Sequence, residues 1–475
     1  MTETALPSLM LTVLVLLAVG NGSEAAPLRL HPRNPHYFLF RGKPTVLIGS
    51  GEHYGAVLNQ DFDYTKYLDT LRRDGMHHTR TFVGSYCEPQ GAFNIARNTL
   101  APAPGRFICP WARSDQPGYA NGGSKFDLTR FDEAYFRRLT DFVAKASERD
   151  VVVEVNLFCP FYGDEQWALS PMNAANNING VGGVSATDAY TLDANGGLLE
   201  VQEAMVRRVV QALRPYDNMY YEIMNEPYAK AVPENWQRHI AEVIVDAEKP
   251  FAAKHLISQN ISNGQAKIED PCPAVSIFNF HYAWPPETVA MNYALGKAIG
   301  DNETGFRGTP DAPYRMEGWA FVLAGGALYS NLDYSFTVGH EDGTFELPDT
   351  QPGGGGAGLR RQLRALNEFI HGFDLVPMAP DSSVRVAGSP EGVAAYTLVE
   401  PGRQYGVYVC RTKAPAPGSV ELRLDMPAGA YRLEWVSPLS GEVVSRGRFQ
   451  HAGGERALPS PSFAEDIALR VTKSG

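Results

Sequence analysis

The chain reads as an α/β protein, a (β/α)8 barrel followed by a small all-β sandwich. Three observations predict this. Eight strand-like runs alternate with helical segments between about residues 28 and 378. From about Asp381 the pattern changes to short alternating runs separated by Pro/Gly turns. The length of 475 residues suits one large barrel plus one small domain. The expected division is a signal peptide over 1–26, a barrel over 27–380 and a sandwich over 381–475.

The elements follow in order. "PTVLIGSGEHY" is the first strand, and "FDYTKYLDTLRRDG" an amphipathic helix stopped by Gly75. "MHHTRTFVGSY" is the second strand. A long loop rich in Pro, Gly and Asn runs from about Glu88 to Ser124. "FDEAYFRRLTDFVAKASERD" is expected as a helix with Phe131, Tyr135, Phe136, Leu139, Phe142 and Val143 on one face. "VVVEVNLF", "NMYYEIMNEP", "HLISQNIS", "AVSIFNFHYAW", "GKAIGDNETGF" and "GGALYSNLDYSF" supply strands three to eight. Helices "LLEVQEAMVRRVVQALRPY" and "PENWQRHIAEVIVDAEKPF" flank the fourth strand, Glu317 and Trp319 begin a helix after the seventh, and "GLRRQLRALNEFIHGF" closes the barrel. A doubly wound sheet is the alternative, and the lack of an early GxGxxG turn weighs against its nucleotide-binding form. "PGGGG" at 352–356 has no GK[ST] after it and reads as spacer.

Composition narrows the function. The formal net charge is −11 and the pI near 5.5. A nucleic-acid partner, which needs clustered Lys and Arg, is therefore not expected. The apolar run from about Leu9 to Val19, followed by small residues, reads as a cleavable export signal, giving a secreted or periplasmic protein. Its n-region carries Glu3 and no basic residue, so a buried apolar helix or a misplaced start is the other reading. No later segment is long and apolar enough for a membrane span. The five cysteines are scattered without CxxC; Cys87 and Cys109 are either a pair or, like the rest, buried thiols. No HExxH or close His cluster points to a metal, no cofactor is called for, and no GxSxG points to an esterase. The oligomeric state is not legible.

In a barrel of this kind, reactive groups sit at the C-terminal ends of the strands. Those ends carry Glu52-His53-Tyr54, Arg80, Asn156, Asn225-Glu226, His281-Tyr282 and Asn302-Glu303. One strand-end Glu is weak evidence, because surface acids are common. Two, on strands four and seven, can face each other across the barrel mouth. Paired carboxylates suit glycosidic cleavage: one gives the leaving oxygen its proton, and the other, ionised, attacks the anomeric carbon. Arg80 would hold the nucleophile ionised, and Asn225 would bond a sugar hydroxyl. Glu222, Glu154 and Asp301 share parity with the strand-end acids and are expected deeper in the barrel interior. Glu52 and His53 are candidates to line the sugar site, or else an ordinary hydrogen-bonded pair. Trp284 and Trp167 are candidate stacking platforms.

"YYEIMNEP" resembles the strand-four motif of clan A glycoside hydrolases, the (β/α)8 retaining enzymes that include family 5 cellulases. "GKAIGDNETGF" is similar to their strand-seven ending, Arg80 in "GMHHTRTF" to their strand-two arginine, and "FNFHYAW" to the strand-six segment beside the nucleophile. The resemblance covers about residues 28–378. It implies Glu226 as acid/base and Glu303 as nucleophile. "YRLEWVSPLSGE" and "DIALRV" are similar to a sandwich often appended to such barrels and described as collagen-binding. Two departures stand out. The family often has His-x-Tyr on strand six, whereas His281 and Tyr282 are adjacent here; strand alternation then lets one face the site, and Tyr282 is expected. The strand-eight Trp of many members is replaced by Tyr329, Asn331 and Tyr334. The implied activity is a retaining β-glycoside hydrolase acting on a plant or microbial oligo- or polysaccharide; a non-catalytic carbohydrate-binding or adhesion protein is the alternative. Loops at 88–124 and 163–197 would wall the cleft and favour an exo-acting or short-oligosaccharide enzyme over an open endo-glycanase.

Overall fold

The computed structural model describes residues 26–413 and 415–474. The expected export signal therefore lies outside the described residues, apart from Ala26. Eight parallel strands close into a barrel in sequential order: β1 Leu47–Gly51, β2 His78–Phe82, β3 Val152–Asn156, β4 Met219–Glu222, β5 Ile257–Asn263, β6 Ile277–His281, β7 Ala298–Thr304 and β8 Leu328–Leu332, which pairs back onto β1. Each matches one expected run. The outer layer is α1 Tyr64–Asp74, α2 Glu133–Ser147, α3 Leu198–Leu213, α4 Glu234–Glu248, α5 Glu287–Asn292, α6 Ala312–Leu323 and α7 Ala357–Ile370. No helix among the described residues is long and apolar enough to cross a membrane.

Local chemistry sets the helix ends. Asp63 accepts from the Thr65 and Lys66 amides at the start of α1, and Gly75, at φ 76°, ends it where a side chain would be strained. Asp132 caps α2 in the same way, and Tyr135, Phe136, Leu139, Phe142 and Val143 are buried against the barrel. Strands buried on both faces read as near-continuous apolar runs, which is why β3 opens on Val152-Val153 directly after Val151.

Two features were not legible in the sequence. Three short strands, Arg29–His31, Asn34–Phe40 and Lys43–Thr45, form a separate sheet. Leu28, Phe38 and Phe40 from this segment pack with Leu47, Val152, Tyr220, Ile277, Ala298 and Leu328, plugging the N-terminal end of the barrel. The long loop after β2 contains a hairpin, Trp111–Pro117 with Ser124–Phe131. This paired backbone gives the loop a fixed shape despite its Pro and Gly content.

The C-terminal strands are β9 Val393–Glu400, β10 Gln404–Arg411, β11 Glu421–Met426, β12 Gly429–Val436, β13 Val443–His451, β14 Gly454–Pro459 and β15 Asp466–Lys473. With two short strands, Ala379–Pro380 and Arg385–Val386, they form a six-stranded and a three-stranded antiparallel sheet around a separate apolar core that includes Trp435. The larger sheet docks on α6 and α7. Arg315 of α6, 2% exposed, bonds Asp466 at 2.9 Å and Glu465 at 2.6 Å. Trp319 stacks on Tyr408. All five cysteines are free, buried thiols.

Candidate active site

The strand ends converge on one charged cluster. Arg80, on β2, is 1% exposed and spends every guanidinium nitrogen. Nε donates to Glu154 at 2.5 Å, Nη1 to Glu303 at 3.0 Å, and Nη2 to Glu222 at 2.7 Å and Asn225 at 2.9 Å. Its planar fork suits this fixed set of acceptors. Burial opposes charge on these carboxyls. At Glu154 the Arg80 guanidinium outweighs it and holds the group below its ordinary value. Glu222 is pushed up to about 8 by burial and by the charge on Glu154. Asn156, Asn279 and Asn302 donate to Glu222, completing the floor of the site.

Glu303 rises from this floor. Oε1 accepts from the Tyr282 hydroxyl at 2.6 Å, and Oε2 from the Tyr54 hydroxyl at 2.8 Å in addition to Arg80. Burial would raise its pKa; His281, Arg80 and the two tyrosines overcome that and hold it down at about 2. Glu303 is therefore ionised at neutral pH. Glu226 faces it. Glu226 Oε2 accepts from Tyr162 at 2.6 Å, and Oε1 is 2.9 Å from His281 Nδ1 and 3.3 Å from the Tyr228 hydroxyl. His281 Nδ1 also lies 3.5 Å from Glu303. Against the cost of burial, the two carboxylates raise the pKa of His281.

One ligand atom each from Glu226, His281 and Glu303 lies within 4.8 Å of the others, a spacing that a metal ion could span. The same atoms already accept from Tyr54, Tyr162, Tyr282 and Arg80, so a cation would have to displace proton donors. The cavity over the pair is about 220 Å³ and is lined by His53, Tyr54, Glu88, Asn225, Glu226 and Glu303, among others.

Comparison with known proteins adds a family likeness. Residues 92–275 match the family model for cellulase (glycosyl hydrolase family 5). Over that stretch the chain is similar to family 5 glycosyl hydrolases. It is an O-glycosyl hydrolase. Two solved structures share the fold. A putative glycoside hydrolase from Bacteroides vulgatus ATCC 8482 is 14% identical with a TM-score of 0.66, over 95% of this chain and 83% of that one. A glycoside hydrolase family 5 structure from the same organism is 13% identical with a TM-score of 0.63, over 94% and 93%. No curated relative matches.

The hydrolase domain departs from strand regularity at three points, and each serves the site. Tyr282 adopts φ 54°, so the chain turns at the end of β6. Both His281 and Tyr282 consequently reach the carboxylates, where alternation had admitted only Tyr282. In β7 the register slips, Phe280 pairing with Asp301 but His281 with Glu303. Asn302 and Glu303 therefore both turn inward. Asp301, expected inside, instead lies near Glu317 of α6, and burial together with the Glu317 charge raises its pKa. Glu226 itself sits at φ 40°, ψ 50°. Proline disfavours right-handed helical geometry in the residue before it, and Glu226 takes the left-handed region instead, its amide held by Asn260 at 3.0 Å.

Three expected substrate contacts lie elsewhere. Glu52 is fully buried and turned away, accepting from the Gly55 and Ala56 amides at 2.9 and 3.0 Å and from the Thr99 hydroxyl. Trp167 packs on Phe161 and donates to the Val184 carbonyl at 3.0 Å. Trp284 lies beside Arg307 and Tyr396, against the sandwich. None of the three lines the cavity. His53 does, as do Asn225 and Tyr282, whereas Arg80 and His281 lie beneath it. Sequence reasoning missed Tyr54, Glu88 and Tyr162. Tyr54 follows His53 at the end of β1 and was visible there; Glu88 and Tyr162 sit in loops, where no periodicity marks them.

Proposed function

We propose that the domain is a retaining β-glycosidase acting on a plant or microbial oligo- or polysaccharide by double displacement. The observation that carries this is the pairing of an ionised Glu303 with Glu226 at a closest oxygen approach within 4.8 Å. Retaining enzymes hold their carboxyls roughly 5–5.5 Å apart, whereas inverting enzymes need about 6.5–9.5 Å to admit a water. Glu303 attacks the anomeric carbon while Glu226 gives its proton to the leaving oxygen. The bond from that carbon to the leaving oxygen breaks and a glycosyl ester forms on Glu303. Glu226 then takes a proton from water, which attacks the same carbon and frees Glu303. His281, hydrogen-bonded to Glu226, shares that proton. Arg80, Tyr54 and Tyr282 hold Glu303 ionised before attack and receive its carboxylate again on release.

A binding or adhesion protein would not need two opposed carboxyl groups, one of them held ionised, and the family 5 match favours the enzyme reading. Export belongs to the same reading, since large polysaccharides are met outside the cell. The test is a 2-fluoro glycoside with a good leaving group, followed by peptide mapping, with NMR of the first-formed anomer. A covalent label on Glu303 with a retained anomer is expected. A label elsewhere, or inversion, would overturn the mechanism.

A further inference from the structure

Two polar groups in the cavity have no part in the chemistry above. Glu88, 4% exposed, comes from the loop after β2. Its amide is held by the Leu100 carbonyl at 2.8 Å. Oε1 accepts from Tyr86 at 3.0 Å and Oε2 from Asn98. A carboxylate has about four acceptor positions, so two of the four on Glu88 are left for a ligand. His53, 9% exposed, packs edge-on against Tyr54 and Tyr334. Its buried Nδ1 has no partner among the described residues. Buried polar groups are normally satisfied, and orphans in a ligand cavity call for an explanation.

Both are as buried as the Glu226–Glu303 pair and lie in the wall of the cavity. Its mouth carries Phe93 and Phe306, 39% and 43% exposed. Phe93 packs on Tyr162, the donor to Glu226, and Phe306 on Tyr282, the donor to Glu303. The open, aromatic side therefore lies next to the reacting pair, where a leaving group departs. A volume of about 220 Å³ falls below the roughly 300–1,000 Å³ of sites for larger ligands. No Lys or Arg lines it.

We propose that Glu88 and His53 grip the hydroxyls of a single uncharged terminal sugar, making this an exo-acting site. The proposal rests on the retaining reading of Glu226 and Glu303. The small volume limits the bound stretch to one sugar. The absence of a lining cation disfavours a uronic acid there. Glu52 has a positioning role: through Thr99 it braces the 98–100 segment against which Glu88 is set.

The test combines product analysis with substrate editing on the full chain. Wild type should release free monosaccharide from the first minutes and prefer neutral aryl glycosides to the matching uronides. Glu88→Gln should lower kcat/KM on the best sugar about tenfold or more, as loss of hydrogen bonds to a charged group implies. That loss should shrink to less than about threefold on the deoxy sugar lacking the gripped hydroxyl. His53→Phe should behave likewise at a second hydroxyl. Equal losses on parent and deoxy sugars would mean a structural role and overturn the proposal. Internal cleavage products with Glu303 still labelled would overturn it alone. Failure to label Glu303 would overturn the retaining reading and this inference together.

Discussion

Arg80 Nη1 lies 3.0 Å from Oε2 of Glu303, at the base of the reacting pair. The same guanidinium reaches Glu154 and Glu222, so one cation serves three buried carboxyls. Glu303 is held at about 2 against an ordinary 4.5. A carboxyl depressed in this way contributes stability that is complete above about pH 4.5 and is lost as pH falls toward 2, worth about 3 kcal/mol. Arg80→Lys keeps the charge but loses the fork. It should move the acid limb of kcat/KM upward by about one to two units, read from a pH profile. Arg80→Met strands the carboxylates and should cost about 3–5 kcal/mol in denaturant unfolding. An unchanged acid limb in Arg80→Lys would show that Arg80 does not set the state of Glu303.

In the proposed mechanism, Glu226→Ala removes the proton donor facing Glu303. The expected loss is about 10²–10⁴ in kcat/KM on sugars with poor leaving groups. Aryl glycosides of acidic phenols need no such proton and should lose far less in the first step. A plot of rate against leaving-group pKa for wild type and variant checks this. Parallel lines would rule out Glu226 as the acid.

Tyr54 and Tyr282 each donate one hydroxyl to Glu303. Tyr54→Phe and Tyr282→Phe should each cost about 1.5–3 kcal/mol of transition-state stabilisation, or roughly 10–150-fold in rate. The double variant should depart from additivity, because both act on one carboxylate. Steady-state kinetics on all four proteins measures the coupling, and strictly additive losses would argue against a shared target.

Arg315 joins the barrel to the sandwich through Glu465 and the 4%-exposed side chain of Asp466. Arg315→Leu leaves Asp466 buried with only the Tyr408 hydroxyl at 2.9 Å. The expected loss is about 3–5 kcal/mol, seen as a lower Tm, with kcat/KM unchanged at temperatures where the protein is folded. A Tm equal to wild type would mean that the ion pair contributes nothing net at this junction.

The barrel was legible because its period is local. Val151-Val152-Val153, Met219-Tyr220-Tyr221 and Phe278-Asn279-Phe280 announce buried strands within a few residues, and Gly75 and Asp132 mark helix ends by their own chemistry. Glu226, Glu303 and Arg80 were legible because strand ends deliver side chains to one face. Asp301, His281, Trp167 and Trp284 were misjudged for one shared reason. Alternation assumes a regular strand and an open loop, whereas the β7 register slip, the positive φ of Tyr282 and the folded loops break both assumptions.

By itself the sequence determined the order of strands and helices, the change to an all-β region near Asp381 and the presence of two strand-end carboxylates, because these depend on neighbours along the chain. Only the tertiary structure decided that Arg80 is shared among three acids, that His281 bridges Glu226 and Glu303, and that Glu88 lines the cavity over them. Those relationships join residues from tens to more than two hundred positions apart. Their charge states arise from burial and short-range Coulomb interactions, which exist only once the barrel has closed.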